Sequence, residues 1–178
     1  MPDDANGAPS PAGMDVDTAR LAPGLYWGIN SQFLNYLARM SDSRCSTTDG
    51  ADLLGGNIFR FEPEPGNDTG IDPTTGTGVL RFRGDVRFAG HYGFLFVRIA
   101  DPWLTVENGA ATLSVITHPT ESERLTLITA VLTEEGVDGP IHRMSGKTVR
   151  LTAAGRPLFN DVYPEDAPFD DFSVLWPG

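Results

Sequence analysis

Apolar residues first settle into a regular pattern after Gly28, where Ile29, Phe33, Tyr36, Leu37 and Met40 recur at helical spacing and share one face. This predicts an α-helix over roughly residues 30 to 40. Asn30 or Ser31 is placed to cap its start, and Ser41-Asp42-Ser43 to end it, because such side chains compete for backbone hydrogen bonds. Beyond this point the period changes to two. Asn57-Ile58-Phe59-Arg60-Phe61 puts Phe59 and Phe61 on one face, and similar runs follow at 79–83, 85–89, 94–99, 111–116, 124–132 and 147–152. Leu80 and Phe82 alternate with Arg81 and Arg83, and Val86 and Phe88 with Arg87, as in a sheet with one wet face.

Glycines punctuate these runs. Gly84 splits one, and Gly90 and Gly93 bracket His91 and Tyr92, marking bends or close approaches to the backbone. Residues 62–78 hold three prolines among Gly, Asp and Thr and read as a loop. Within it, Asn67 to Asp72 is rich in oxygen-bearing side chains but lacks the closing glutamate of a calcium loop, so it reads as a plain turn. Many short strands with one or two short helices predict a mainly β fold, either a β-sandwich or a partly open barrel. Residues 1–20 have little to bury and are expected to form a disordered acidic tail, followed by a single β domain over 21–178.

Composition narrows the functional classes. A chain of 178 residues with 40% hydrophobic content can bury one substantial core. Its 13 Lys and Arg stand against 24 Asp and Glu, and a net charge of -11 repels a nucleic-acid backbone, which argues against DNA and RNA as partners. The same field opposes any anionic ligand unless cations gather at its site. Cys45 is the only cysteine, so there is no internal disulfide, CxxC pair or multi-cysteine zinc site, and its polar surroundings do not suggest a nucleophile. No apolar run approaches the roughly 18 residues of a membrane span, and the N-terminus lacks a basic start followed by an apolar stretch. As written, the chain shows neither anchor nor export signal and reads as cytoplasmic on that basis.

No catalytic motif stands out. Gly-x-Ser-x-Gly, His-Glu-x-x-His and phosphate-cradling loops are all missing, and the expectation is a protein that is not an enzyme. His118, before Pro119, and His142, in Pro140-Ile141-His142-Arg143, read as surface residues. His91 differs in having glycines on both sides. Tyr36 lies on the predicted apolar helix face with Phe33 and Met40. Each has a structural reading beside a functional one, since a tyrosine packed in a core still needs a partner for its hydroxyl and a histidine is a good one.

Three ordered segments resemble the HtaA family of bacterial haem-binding domains. The first is Leu25-Tyr26-Trp27-Gly28-Ile29-Asn30-Ser31-Gln32-Phe33-Leu34-Asn35-Tyr36, similar to the family's Trp-Gly pair followed by an aromatic and a helical tyrosine. The second runs from Gly76 to Gly93, through Phe88-Ala89-Gly90-His91-Tyr92, and continues into Ile99-Ala100-Asp101-Pro102. A third is Phe159-Asn160-Asp161-Val162-Tyr163. The resemblance implies a module that holds ferric haem for uptake or transfer, with Tyr36 as iron ligand, His91 as its hydrogen-bond partner and Tyr163 as a further pocket residue. It also implies other haem-relay proteins as partners and a cell-surface or secreted location. Phe33, Tyr92 and Phe88 are candidates for apolar walls.

The chemistry is coherent with that reading. Holding a free phenol as phenolate at neutral pH costs about 4 kcal/mol, which ferric iron offsets by withdrawing charge. A neighbouring imidazole can share the proton and tune release. The chain departs from the family where members commonly carry a basic residue, a serine and an arginine and it has Asn30, Gln32 and Leu34. Arg81, Arg83 or Arg87 is then the candidate to compensate for lost propionate contacts. The alternative is a structural or protein-interaction β-domain that has lost haem binding.

Overall fold

The computed structural model describes residues 21–66 and 69–178; the tail expected over 1–20 lies outside the described residues, as do Asn67 and Asp68. The elements in order are β1 (Gly24–Trp27), α1 (Ser31–Ala38), β2 (Arg44–Thr48), β3 (Ala51–Leu54), β4 (Ile58–Pro63), β5 (Gly70–Asp72), β6 (Thr77–Arg83) and β7 (Asp85–Gly90). They continue with β8 (Leu95–Glu107), β9 (Ala110–Ile116), β10 (Arg124–Asp138), β11 (Ile141–Leu151) and β12 (Phe172–Pro177).

Antiparallel pairing runs from β8 through β9, β10, β11, β12, β1 and β4 to β6. The ring closes because β6 pairs both with β4, through Glu62↔Arg83 and Pro63↔Phe82, and with β8, from Thr77↔Glu107 to Arg81↔Trp103. Eight strands therefore form a closed barrel, so of the two expected architectures the structure takes the barrel, and shut rather than partly open. Closure removes the free edges of the ring itself and leaves the short strands β2, β3 and β5 at the margins. The expected alternation holds at Leu80 and Phe82 and at Leu113 and Val115, all buried. It is interrupted at Leu127 and Ile128, adjacent and both buried where β10 bulges against β9; Leu104 and Val174 are buried as well.

The site is positioned by what lies outside the ring. β8 is shared between barrel and flank, with its register broken between Ala100 and Trp103 at Asp101-Pro102, where Asp101 takes a left-handed φ of 47°. Its first half, Leu95 to Ala100, pairs with β7 instead of β6, β2 pairs with β7, and β3 lies along β4. Five strands did not register in the alternation. β2 is polar, β1, β3 and β5 span at most four residues, and β12 ends in proline. The loop expected over 62–78 thus contains β5, because Gly70, Ile71 and Asp72 find partners in Val79, Gly78 and Thr77.

Where β7 leaves the barrel flank, Asp85 is 4% exposed and accepts bonds from Arg87 Nε (3.0 Å) and Nη2 (2.9 Å) and from Arg98 Nε (3.0 Å) and Nη2 (2.9 Å). Burial alone raises a carboxyl pKa, but the two guanidinium groups outweigh it and hold Asp85 below the ordinary aspartate value.

Candidate functional site

The helix that carries Tyr36 is fixed at its start by the Trp-Gly segment. The Trp27 indole donates to the Asp170 carbonyl at 2.8 Å, and a Cβ on Gly28 would lie 2.9 Å from Asp170 Oδ2, so nothing larger fits there without a shift. Asp170 Oδ1 in turn accepts from the Ser31 backbone N–H at 3.0 Å. Asn30 caps α1 as expected, its Oδ1 accepting from the N–H groups of Gln32 (2.9 Å) and Phe33 (3.2 Å). Ile29, a β-branched residue, sits at φ 64°, a strain the surrounding bonds hold in place.

Phe33 and Leu37 form the buried face of α1, while Tyr36 stands at its margin, 46% exposed, rather than in the core. Its hydroxyl meets His91 Nε2 in a direct hydrogen bond, with the ring centroids 5.8 Å apart. His91 reaches this position from the turn between β7 and β8. His91, Tyr92 and Gly93 all have left-handed backbones, with φ of 48°, 55° and 92°. Two non-glycine residues in that region cost on the order of 1 kcal/mol each, offset here by local bonds. The Tyr92 N–H donates to Asp42 Oδ2 at 2.7 Å and the Phe94 N–H to the His91 carbonyl at 3.1 Å. The bond from Tyr92 keeps the exposed Asp42 carboxyl below its usual pKa range.

Beside this pair lies a cavity of about 360 Å³ lined by Phe33, Tyr36, His91, Leu95, Phe159, Asn160, Val162 and Tyr163. Its floor is a run of edge-to-face aromatics. Phe33 contacts Phe88 at 5.4 Å and Phe159 at 5.2 Å, and Phe159 contacts Tyr163 at 5.8 Å and Phe169 at 5.2 Å. Burial, and secondarily the neighbouring Tyr36, raise the Tyr163 pKa, so this phenol stays neutral at physiological pH. Size does not single the cavity out, since clefts of about 340 and 430 Å³ lie elsewhere. It is distinguished by a tyrosine–histidine pair opening onto an apolar wall.

Four of the five expected site residues, Tyr36, His91, Tyr163 and Phe33, thus meet at one cavity although they are spread over 131 positions of sequence between Phe33 and Tyr163, counted inclusively. Tyr92 stands apart, 93% exposed and outside the lining, because the left-handed turn that aims His91 at Tyr36 leaves the next side chain in solvent. Phe88 is buried beneath Phe33 rather than forming a wall. Leu95, Phe159, Asn160 and Val162 were not singled out as site residues, although three of them stand in the Phe159-to-Tyr163 segment.

The three departures fall away from the wall. Asn30 is committed to its cap, Gln32 is exposed, and Leu34 lines a different cleft with Cys45 and Leu53. Nor do the candidate compensating arginines reach it. Arg81 stacks over Trp103 at 4.3 Å, Arg83 pairs with Glu62, and Arg87 pairs with Asp85.

Comparison with known proteins gives this arrangement a context. The HtaA family model matches residues 23–175, nearly the whole described chain. The chain belongs to the HtaA family. Its fold is similar to that of the N-terminal domain of HtaA from Corynebacterium glutamicum, with 25% identity and a TM-score of 0.71 over 87% of this chain and 96% of that one. The C-terminal domain of the same protein is similar at 23% identity and TM-score 0.71, covering 85% of this chain and 94% of that one. Heme binding protein HtaB from C. glutamicum follows at 18% identity and TM-score 0.64, covering 85% and 90%. No curated protein sequence matches significantly. Among the described residues, this HtaA-family chain has no helix long and apolar enough to cross a membrane.

Proposed function

We propose that this HtaA-family domain binds ferric haem, with the Tyr36 phenolate as iron ligand and His91 hydrogen-bonded to the same oxygen, and that it carries haem in uptake or transfer rather than transforming it. The observation that carries this reading is the Tyr36–His91 bond at the margin of an apolar cavity. The residues suit a metalloporphyrin. Phe33, Leu95, Phe159 and Val162 offer apolar surface to a flat ring, and Tyr36 is exposed enough to present a hard oxygen donor. Haem supplies a ferric centre that favours the deprotonated phenol. The protein's own contribution is the proton path. When His91 Nε2 carries no proton it accepts the one that leaves the Tyr36 hydroxyl, giving phenolate and imidazolium, and return of that proton favours release.

A hemin titration followed by absorbance tests the assignment. The parent is expected to saturate with a shifted Soret band, and Tyr36→Phe to bind about 100-fold or more weakly through loss of the ligand oxygen. A Tyr36→Phe protein that binds as well as the parent overturns it. A second reading, a β-domain that kept the fold and lost the ligand, is favoured by one observation, the absence of any Lys or Arg from the cavity lining. Tight stoichiometric hemin binding eliminates that reading.

A further inference from the structure

We infer that the site takes its ligand without gripping the propionates, so that it selects ferric tetrapyrroles by metal and apolar face and accepts those whose edges carry esters or alkyl groups. This rests on the haem reading above and specifies its substrate class. Of the eight lining residues none is Lys or Arg, and the polar ones are two tyrosines, His91 and the amide of Asn160. Four arginines are held elsewhere: Arg98 shares Asp85 with Arg87, and Arg124 stacks on Trp103 at 4.0 Å, as Arg81 does from 4.3 Å.

The elements framing the cavity supply no net positive charge. α1 is followed by Arg39 and then Asp42, and the segment that brings Phe159 and Tyr163 to the wall contains Arg156 and Asp161. Arg156 Nε donates to the Tyr163 carbonyl at 3.1 Å. Arg39 and Arg156 are thus equalled in number by Asp42 and Asp161, within a chain of net charge -11. A carboxylate pushed against Phe33, Leu95 and Phe159 would be desolvated with no cation in the lining to receive it, which is strongly unfavourable. The macrocycle therefore enters with its carboxylate edge toward the mouth, where Val162 is 72% exposed and water solvates the propionates.

The test uses the unmodified full chain and three ligands: hemin, hemin dimethyl ester, and an iron porphyrin with alkyl groups in place of both propionates. All are titrated by absorbance in one buffer with a fixed fraction of dimethyl sulfoxide, at about 20 mM and about 300 mM salt. The ester and alkyl ligands are expected to bind within about threefold of hemin or tighter, and hemin affinity to hold or rise with salt as repulsion is screened. A loss above about tenfold for the carboxylate-free ligands, or hemin binding that weakens more than about threefold with salt, reveals a cationic clamp and overturns the inference while leaving the haem reading intact. Failure of all three ligands to bind overturns both.

Discussion

β7 carries a polar cluster at each end, and the two clusters are built on opposite principles. At its start Asp85 is buried and receives four hydrogen bonds from Arg87 and Arg98, so its carboxylate is fully engaged in place. Six residues later, past its end, His91 sits in a strained turn with one bond to a half-exposed Tyr36, beside an apolar cavity. A buried ion set with its valences filled has nothing left to offer a ligand. A lone polar pair on an apolar rim has capacity to spare, and the strain in its turn is the kind that accumulates at binding sites. One strand thus separates a charge cluster that holds the fold from the Tyr36–His91 pair proposed to bind.

Substitutions sharpen the contrast. The largest effect is expected from Asp85→Ala, which leaves the largely buried Arg98 without its carboxylate and costs about 3 kcal/mol in urea denaturation. Hemin affinity should persist wherever that variant is folded, and loss of binding without loss of stability would erase the distinction between the two ends of β7. His91→Gly removes the imidazole while leaving the left-handed backbone accessible. It is expected to weaken hemin binding about tenfold, with little change in melting temperature.

Acid separates the clusters more gently. The folded Asp85 carboxyl lies below its unfolded value, so its contribution is present above about pH 4 and is lost as pH falls through the lower folded value. Denaturation measured across that window should show the parent losing stability more steeply than Asp85→Asn. The smallest effect belongs to Tyr92→Ser. Because the ring lies in solvent outside the cavity, hemin affinity should change less than about twofold, as expected for a surface position making no contact. A drop comparable to that of His91→Gly would place the ring at the ligand after all.

Much of this was legible in local pattern. Leu80, Phe82, Val86 and Phe88 alternate with arginines, and in the structure they face inward as that alternation requires. The helix cap was legible to within one residue, as Asn30 or Ser31, and the structure takes Asn30. The polar edge strand Arg44–Thr48 was not legible, because five residues without alternation become a strand only when Thr47 and its neighbours find Val86 and the rest of β7. The arginines beside Leu80 and Phe82 looked available to an anionic ligand, yet Arg81 and Arg83 are taken by Trp103 and Glu62, partners 22 and 21 residues away.

By itself the sequence determined which residues turn inward along strands such as β6 and β7, where the helix begins, and the membership written in its ordered segments, because each is encoded within a few neighbouring positions. Only the tertiary structure decided that the sheet shuts into a ring, that His91 and not Tyr92 faces Tyr36, and that the wall beside them is uncharged. Those outcomes depend on strand register and on the handedness of a turn, which bring residues 36, 91 and 163 together through contacts that no local period specifies.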